Sequence, residues 1–455
     1  MNILEGVAKK SESDSCDEVM DIDSTMRKKV VVVDAMAEVQ AMGKPEDIKT
    51  CSDLANHFES IVQRKYEHYD EIRLIFDRYD VPRSLKTATR QLRQHGQPLV
   101  YYHISDSTNI AKTPIRRLLS HINTKMELTK YLAEKVVHAA RADQCMIVAY
   151  SDQCIGTHKD MSYLNSDQEE ADTKLILHAV DATTSGATCI HICSPDTDVF
   201  VLALRHYSDM CEDASFVTGT GKYRRVIPLK PIVEALGPVK TAALPAFHAL
   251  SGADNTGSFA GKGKLTCFKA FETATDDTLL TLSNLGSGIM PTPETVSGTE
   301  RFVCQIYKQH TDISNVSNMR WWLFRKTQAQ SEKLPPTSDA LTHAILRAHY
   351  QLMVWNSANV PCPVLPSPEG YGWKLNGEIW TPTMTDELPA PAAVLHLVKC
   401  GCVKTNCSKG QCQCRKANLH CTDLCRCSDN DVECFNQEEH KVIDDEDDDD
   451  DFIDD

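Results

Sequence analysis

Short apolar runs alternate with longer stretches of helical spacing over the first half of the chain. Four runs have the length and composition of buried strands: residues 29–33, 72–76, 145–149 and 188–193. Helices are predicted between them, over residues 54–66, 114–141 and about 170–183. Strands interleaved with helices predict an α/β fold with a mostly parallel sheet, to which residues 223–229 add an edge strand or hairpin arm.

The second half is predicted to be helical from residue 244, with a glycine-containing loop at 257–264 and further helices over 296–356. Prolines then become frequent, which indicates a linker, and a cysteine-rich stretch follows. We therefore divide the chain into a disordered N-terminal segment (1–28), an α/β core (29–243), a helix–loop–helix element (244–290), a helical extension (291–360), a proline-rich linker (361–397), a cysteine-rich module (398–435) and a disordered acidic tail (436–455).

Composition narrows the class of protein. Of 455 residues, 42% are hydrophobic and 25% are charged, as in globular proteins. We expect no membrane span, because no apolar run approaches the roughly 18 residues of a membrane helix, and no secretion, because the first residues lack an apolar signal core. The net charge of −16 argues against a nucleic-acid partner, but ten acids lie within residues 444–455, so the remainder carries about −6. That acidic run is either a solubilising tail or a DNA mimic that competes for basic surfaces.

Seven carboxylates follow one another along the chain, each where a strand or helix is predicted to begin or end. They are Asp34, Asp77, Glu170, Asp172, Asp196, Asp198 and Asp254. Acids after parallel strands lie at the carboxyl edge of the sheet, where open α/β folds hold their ligands. Crowded carboxylates repel one another unless a hard cation neutralises them, and oxygen-only ligands suit Mg²⁺ or Mn²⁺. Paired ions about 3.5–4 Å apart stabilise both reacting oxygens when nucleases cut a phosphodiester.

Three local patterns refine this prediction. Ser166 and Glu169 have the spacing of a capping box, which puts Glu170 and Asp172 in the first turn of the following helix, although residues two apart do not share a helix face. Asp196 and Asp198 are expected to point the same way from an extended segment. After Pro82, a predicted helix carries basic residues on one face, either a phosphate-contacting stripe or a solvated surface: Lys86, Arg90 and Arg93.

Of nineteen cysteines, ten are scattered, many in apolar stretches, which is typical of buried free thiols in a reducing compartment. The other nine form a local cluster: Cys400, Cys402, Cys407, Cys412, Cys414, Cys421, Cys425, Cys427 and Cys434. Zn²⁺ takes four thiolates, so three ions need twelve bonds and some of the nine thiolates must bridge. So small a module has too little core to fold alone, and we expect it to fold on metal.

The ordered acid-containing strings resemble those of the structure-specific 5′ nucleases, the flap endonuclease and exonuclease group with PIN-like folds. The matching strings are FDRYDVPRSLKTATRQLR, EEADTKLIL, SPDTDVFVLAL and LSGADNTGSFAGKGKLTCFKAF, and the resemblance spans residues 29–285. It implies a PIN-like core followed by a helix–two-turn–helix element. The chain departs from the family's pattern in residues 1–28, at Arg78, where a glycine is usual, and in lacking a clear partner-clamp motif.

This resemblance implies a role for each site residue. Asp34, Asp77, Glu170 and Asp172 would hold a first metal ion, and Asp196, Asp198 and Asp254 a second. Lys86 and Arg93 would steady the scissile phosphate. The loop would grip duplex backbone through Gly261 and Gly263 and a bound monovalent cation such as K⁺, with further DNA contacts from Arg90, Lys262 and Lys264.

The cysteine spacing resembles the CXC (tesmin/TSO1-like) domain, a three-zinc module of DNA-binding and chromatin proteins. Gln411 stands where that family usually carries a tyrosine that reads the minor groove, and Arg415 replaces its usual aromatic. We therefore expect backbone or shape contact with DNA rather than sequence reading, through Lys404, Lys409, Arg415 and Lys416. A zinc-stapled module that docks on proteins is the alternative.

The sequence thus predicts a nuclear, divalent-metal-dependent nuclease that acts on DNA, branched or flap-like, and is tethered by a zinc module. Two other interpretations stay open at this point. The core could be a catalytically inactive scaffold whose zinc module binds DNA or chromatin partners, or the enzyme could cut RNA, because such acids do not select the sugar.

Overall fold

A seven-stranded sheet organises the first half of the chain in the computed structural model. The structure describes residues 1–12, 27–87, 99–141, 143–327 and 333–388, and parts of 400–436 that include all nine cysteines of the cluster. The strands are β1 (Lys29–Asp34), β2 (Glu71–Ile75), β3 (Cys145–Tyr150), β4 (Gln153–Gly156), β5 (Cys189–Cys193), β6 (Asp213–Thr218) and β7 (Arg225–Pro228). Their order is β4-β3-β2-β1-β5-β6-β7, parallel except for the two edge strands β4 and β7.

Helices cover both faces of this sheet. They are α1 (Asn2–Glu12), α2 (Ala35–Ala41), α3 (Cys51–Lys65), α4 (Ile115–Leu118), α5 (Ile122–His138), α6 (Ala171–Thr184), α7 (Thr197–Arg205) and α8 (Leu229–Leu250). The valines of β1 alternate between two apolar cores, since Val30 and Val32 face one and Val31 and Val33 the other. The predicted α/β fold with a mostly parallel sheet is confirmed.

The sheet order reverses between β1 and β5. From β1 the chain adds β2 and then β3 on one side, and it returns to add β5 and then β6 on the other. Open α/β sheets hold ligands outside the carboxyl ends of the strands at such a reversal, because the flanking connections diverge there and leave a crevice. Asp34 ends β1 at this point, and Asp77 and Asp196 follow β2 and β5 closely.

The second half is mainly helical, as predicted. It contains α9 (Lys264–Glu272), α10 (Asp276–Ser283), α11 (Pro293–Tyr307), α12 (Val316–Thr327), α13 (Ser338–Asn356) and the short α14 (Gln413–Lys416). The boundary predicted between residues 243 and 244 falls inside α8, which continues from the sheet into the helical part after a kink at Gly237. None of the helices in the described part of the chain has the length and hydropathy of a membrane span.

Two segments differ from their predictions in the part that the structure describes. Residues 1–28 were expected to be disordered, but α1 forms because apolar residues recur along one side of it and Leu4 and Ala8 pack into the core, while Arg225 binds Glu5 at 2.8 Å. The predicted linker at 361–397 contains a hairpin, β8 (Trp373–Asn376) and β9 (Ile379–Pro382), whose aromatic residues pack against α13. The acidic tail from residue 437 and the end of the linker from residue 389 lie outside the described residues.

Candidate metal centres

The carboxyl edge of the sheet gathers acids from five separate segments. Asp34 ends β1 and caps α2, accepting the Ala37 N–H at 2.9 Å. Asp77 follows β2 and accepts the Ala171 N–H at 2.9 Å and the Tyr79 hydroxyl at 2.8 Å. The loop after β2 is therefore tied to the start of α6, where two more acids lie.

The acids at the start of α6 differ from the capping-box prediction. The helix begins at Ala171, and Glu170 is its extended N-cap residue without a side-chain capping bond, so the box was wrong. Glu169 instead accepts a hydrogen bond from the Ser84 hydroxyl. Two residues that are two positions apart within a helix point to different faces, which argued against a shared site for Glu170 and Asp172. Glu170 lies outside the helix, so this restriction does not apply to the pair.

The pair after β5 also differs from its prediction. Asp196 is the N-cap of α7 and its carboxylate accepts the Asp198 N–H at 2.8 Å, while Asp198 lies inside the helix. The two acids therefore do not alternate on an extended segment. They are nevertheless neighbours, since repulsion from Asp198, after burial itself, raises the pKa of Asp196.

A single lysine contacts acids from both sides of this edge. Lys86 Nζ lies 3.3 Å from Glu170 Oε1 and 3.1 Å from Asp254 Oδ2. Although burial opposes the ammonium charge, Glu170, Asp172, Asp254 and Asp77 together raise the pKa of Lys86. The lysine is therefore a cation within the acid cluster. Arg90 and Arg93, predicted to share its helix face, lie outside the described residues.

Burial and mutual repulsion perturb most of these carboxyl groups. Burial, helped by Asp77 and Asp196, raises the pKa of Asp34 to about 7. Burial likewise raises the pKa of Glu170, and burial with repulsion from Glu170 raises that of Asp172. The electrostatic interactions link five of the acids to one another, namely Asp34, Asp77, Glu170, Asp172 and Asp196, and Asp198 and Asp254 join through Asp196. The seven acids are therefore electrostatic neighbours at this edge of the sheet, and their roles as metal ligands remain predictions.

The carboxylate oxygens are spread more widely than the thiols of the cysteine cluster. In the described part of the chain, every group of three or more possible ligand atoms lying within 4.8 Å of one another consists of cysteines. A wider acid cluster fits hard cations that keep several of their water ligands, as Mg²⁺ does, better than an ion enclosed by protein atoms alone.

Polar side chains that were not predicted from the sequence contact two of the acids. Asn255 Nδ2 donates to Glu170 Oε1 at 3.3 Å and to Gln351 Oε1, on α13, at 3.2 Å. His248 Nε2 lies 2.7 Å from Asp198 Oδ1. Asn255 directly follows Asp254 in the sequence HALSGADN, and His248 lies six residues before Asp254. Their closeness to a predicted metal ligand was the one sequence signal that could have indicated them.

The helical extension forms one wall beside the acids. A cavity of about 460 Å³ lies between the segment after Asp77 and α13, and Glu170, Asn255, Tyr350 and Trp380 contribute to its lining. Arg83 forms an ion pair with Glu378, in the turn of the hairpin, at 3.0 Å. Residues 338–382 thus border the acid cluster, although no motif in them indicated this.

The predicted DNA-contacting loop connects α8 and α9. Gly261 and Gly263 are exposed, with open space where a β-carbon would stand, and Gly261 adopts a φ of +67°. Lys262 Nζ instead lies over the Tyr307 ring, 5.1 Å from its centroid. Lys264 Nζ lies 2.9 Å from His248 Nδ1, and the DNA contacts of Lys262 and Lys264 remain predictions.

The cysteine cluster contains three overlapping groups of four thiols. They are Cys400/Cys414/Cys421/Cys425, Cys400/Cys407/Cys412/Cys421 and Cys407/Cys421/Cys427/Cys434. Three residues recur between groups, and Cys402 packs against the cluster. Six Sγ–Sγ contacts within the cluster measure 3.5–3.9 Å, close to the ~3.8 Å edge of a tetrahedron with ~2.3 Å zinc–sulfur bonds. The thiols therefore suit zinc.

Arg415 forms hydrogen bonds within the cysteine module. Its guanidinium donates to Asn436 Oδ1 at 3.2 Å and to the carbonyls of Ser408 and Phe435 at 3.1 Å each. These bonds link segments of the module, and because Arg415 is also exposed its DNA contact remains a prediction. Lys416 is exposed, and Lys404 and Lys409 lie outside the described residues.

Comparisons with known proteins found similarity at the level of structure. No protein-family model and no curated protein matches the chain. A bacteriophage T5 protein co-crystallised with metal ions matches with a TM-score of 0.38 and 10% identity, over 72% of this chain and 91% of that one. A T5 5′-exonuclease with bound zinc ions matches with a TM-score of 0.36 and 10% identity, over the same shares. A T5 flap endonuclease in a pseudo-enzyme–product complex with DNA and metal ions scores 0.35 at 8% identity, over 72% and 99%.

The fold stated above rests on the order and direction of the strands and on the acids at their carboxyl ends. These define an α/β protein with a cluster of acids at the reversal of the sheet, where open α/β folds hold ligands.

Proposed function

We propose that this protein is a divalent-metal-dependent nuclease that hydrolyses a DNA phosphodiester at the acid cluster, with branched or flap-like DNA as its substrate. One observation carries the proposal. Carboxylates from the ends of β1, β2 and β5, from the start of α6 and from the turn after α8 interact with one another around Lys86. The order and local strings of these acids also resemble those of structure-specific 5′ nucleases.

The charge balance supports a metal ion. Burial raises the pKa of four of the carboxyl groups, those of Asp34, Glu170, Asp172 and Asp196, although Lys86 is bonded to Glu170 and Asp254. A buried group of acids is costly unless cations compensate it, and the donors are oxygens, which suit Mg²⁺ or Mn²⁺. The residues present therefore fit two hard divalent ions.

In this proposal Asp34, Asp77, Glu170 and Asp172 hold one ion, directly or through water, and Asp196, Asp198 and Asp254 hold the other. Bound ions would supply a water of lowered pKa as the nucleophile and neutralise charge on the phosphate. Tyr79 and the Ala171 N–H orient Asp77, and Asn255 orients Glu170. These contacts set the carboxylates in place before substrate arrives.

Lys86 is proposed to steady the scissile phosphate. It is placed between the two groups of acids and keeps its charge, because four carboxylates favour the ammonium form. A phosphate that enters with its ions would take over the contacts that Glu170 and Asp254 now make with the lysine. Arg93 is proposed to assist, as the family resemblance implies.

The cysteine cluster is proposed to bind three zinc ions and to tether the nuclease to DNA. Thiol pairs 3.5–3.9 Å apart and the sharing of residues between groups support this number, because nine thiolates must form twelve bonds. We expect contact with the DNA backbone through Lys416 and the neighbouring Lys404 and Lys409. Gly261 and Gly263 would approach a duplex backbone, with K⁺ as the bridging ion. Function on DNA further implies a nuclear protein.

The test is cleavage of matched panels of flap, fork, gapped and linear DNA, and of the same shapes in RNA, with Mg²⁺ or Mn²⁺. We expect cleavage of branched DNA that is lost in Asp196→Ala while DNA binding is kept. Cleavage confined to the RNA panel would change the substrate class. Binding of DNA without cleavage of any substrate would contradict the proposal and favour a non-catalytic scaffold.

A further inference from the structure

A histidine links the acid cluster to the loop between α8 and α9. His248 lies near the end of α8, and its Nε2 is 2.7 Å from Asp198 Oδ1. Its Nδ1 is 2.9 Å from Nζ of Lys264, the first residue of α9. His248 and Asp198 are only 5% and 8% exposed. The three side chains form one hydrogen-bonded line from the loop to a carboxylate.

The direction of these hydrogen bonds follows from the chemistry of the groups. A lysine ammonium can only donate, so Nδ1 of His248 must present its lone pair to Lys264. The ring proton is then on Nε2, which donates to the carboxylate of Asp198. Lys264 is fixed by a second bond, because its Nζ also donates to the His248 carbonyl at 2.9 Å. One tautomer of His248 is thereby selected.

The imidazole ring is also held by packing. Trp355 of α13 lies beside it, with ring centroids 5.9 Å apart and an angle of 31° between the planes. The Trp355 backbone is in turn fixed, since its carbonyl lies 3.2 Å from Nε2 of His206. A ring with this little freedom holds its hydrogen-bond partner in one orientation.

We propose that His248 is a positioning residue that fixes the carboxylate of Asp198 for metal binding, and that Lys264 fixes the tautomer of His248. This inference rests on the proposed function, in which Asp198 is a ligand of the second ion. Groups that orient metal ligands in this way change metal affinity by about 10–100-fold when they are removed. Lys264 is accordingly not a phosphate contact, although its place beside the glycine loop predicted one.

The test measures Mn²⁺ binding to the full, zinc-loaded chain by electron paramagnetic resonance. Only the part of the binding that is lost in Asp196→Ala is counted, because that part belongs to the acid cluster. We expect His248→Leu to weaken this binding about 10–100-fold. His248→Gln, which keeps an N–H donor near the position of Nε2, should recover most of the loss. His349→Leu is the matched control, because His349 is also a buried histidine but contacts the Gly286 N–H and Tyr371.

The variant Lys264→Met tests whether Lys264 fixes the tautomer of His248 or instead contacts a DNA phosphate. We expect weaker Mn²⁺ binding and unchanged DNA affinity in a chelator-free, metal-free buffer. A loss of DNA affinity with unchanged Mn²⁺ binding would overturn the role of Lys264. Should His248→Leu instead melt far below the wild type, comparison of His248→Gln with His248→Asn decides, since asparagine cannot replace the donor at Nε2.

The two proposals fail in different ways. Mn²⁺ affinity in His248→Leu equal to that of the wild type, in a folded protein, overturns the positioning role and leaves the nuclease proposal intact. Wild-type protein that binds Mn²⁺ at the acids through His248 but cuts no nucleic acid contradicts the nuclease proposal and supports the positioning role. Wild-type protein that binds no Mn²⁺ overturns both.

Discussion

The acid cluster and the cysteine cluster are both suited to metal ions, but they are assembled by different means. The acids extend from strands and helices whose apolar residues fill two cores, so the sheet brings them together before any ion binds. In the described part of the module, the buried cluster consists of cysteines alone, with no apolar core beneath them. The first region is preorganised by folding, whereas we expect the second to depend on metal for its fold.

Charge separates the two regions as well. The acid cluster contains its own cation, Lys86, and Asp77 and Asp198 have lowered pKa values because Lys125 and His248, respectively, offset the cost of their burial. The cysteine module presents thiols that must lose protons when zinc binds. Removal of metal should therefore affect the regions very differently.

The largest expected effect comes from zinc removal. A zinc-selective chelator should unfold residues 398–435 and leave the sheet intact, because structural zinc supplies about 10–16 kcal/mol of folding free energy in zinc-dependent peptides. Limited proteolysis with mass spectrometry would locate the cleavage sites. A module that stays protease-resistant after its zinc is removed would contradict the comparison.

A ligand substitution in the preorganised region should impair chemistry without unfolding. Asp196→Ala should reduce cleavage on the order of 100-fold or more, since removal of one group that stabilises transition-state charge costs about that much. Asp312→Ala, at an exposed acid in the helical part, is the control. Cleavage at the wild-type rate in Asp196→Ala would show that the acids are not a catalytic site.

Lys86→Ala should slow cleavage more than it weakens DNA binding. The lysine contacts Glu170 and Asp254 rather than the surface, so its removal takes charge from the reacting centre. We expect a loss of about 10–100-fold in the single-turnover rate, with Lys222→Ala, at an exposed lysine, as the control. If DNA affinity fell by the same factor as the rate, Lys86 would be an ordinary binding contact.

The smallest effect concerns the wall beside the acids. A β-carbon on Gly286 would lie 2.5 Å from Leu352 Cβ and 2.7 Å from the Leu352 carbonyl carbon, so Gly286→Ala should lower the free energy of unfolding by about 1–3 kcal/mol. Gly288→Ala is matched to it, because Gly288 also has a positive φ but only one neighbouring atom, at 4.0 Å. Equal midpoints in denaturant for both variants would show that α13 does not pack tightly here.

The sequence predicted the parts of the structure that depend on local pattern. The Val-rich run at 29–33 and the apolar runs at 72–76, 145–149 and 188–193 correspond to β1, β2, β3 and β5, because buried parallel strands need continuous apolar residues. The acids after three of these strands converge because parallel strands end at one edge. Helix boundaries were less certain: residues 114–141 form two helices instead of one.

Contacts that depend on tertiary structure were missed. The sequence at Ser166 matches a capping box, but Glu169 accepts a hydrogen bond from the Ser84 hydroxyl and the helix begins after Glu170, so the box does not form. His248 has no local pattern that marks it, since its partners lie 50 residues before it and 16 residues after it. The hairpin at 373–382 was hidden among prolines, and only its packing on α13 explains why it forms.

The central claim is that the seven acids form a binding site for two divalent ions, and anomalous diffraction from a Mn²⁺-soaked crystal tests it most directly. We predict two anomalous peaks about 3.5–4 Å apart between Asp34, Asp172 and Asp196, with Lys86 Nζ displaced from at least one carboxylate. Crystals that take up Mn²⁺ elsewhere, and show no peak among these carboxylates at saturating concentration, would contradict the account.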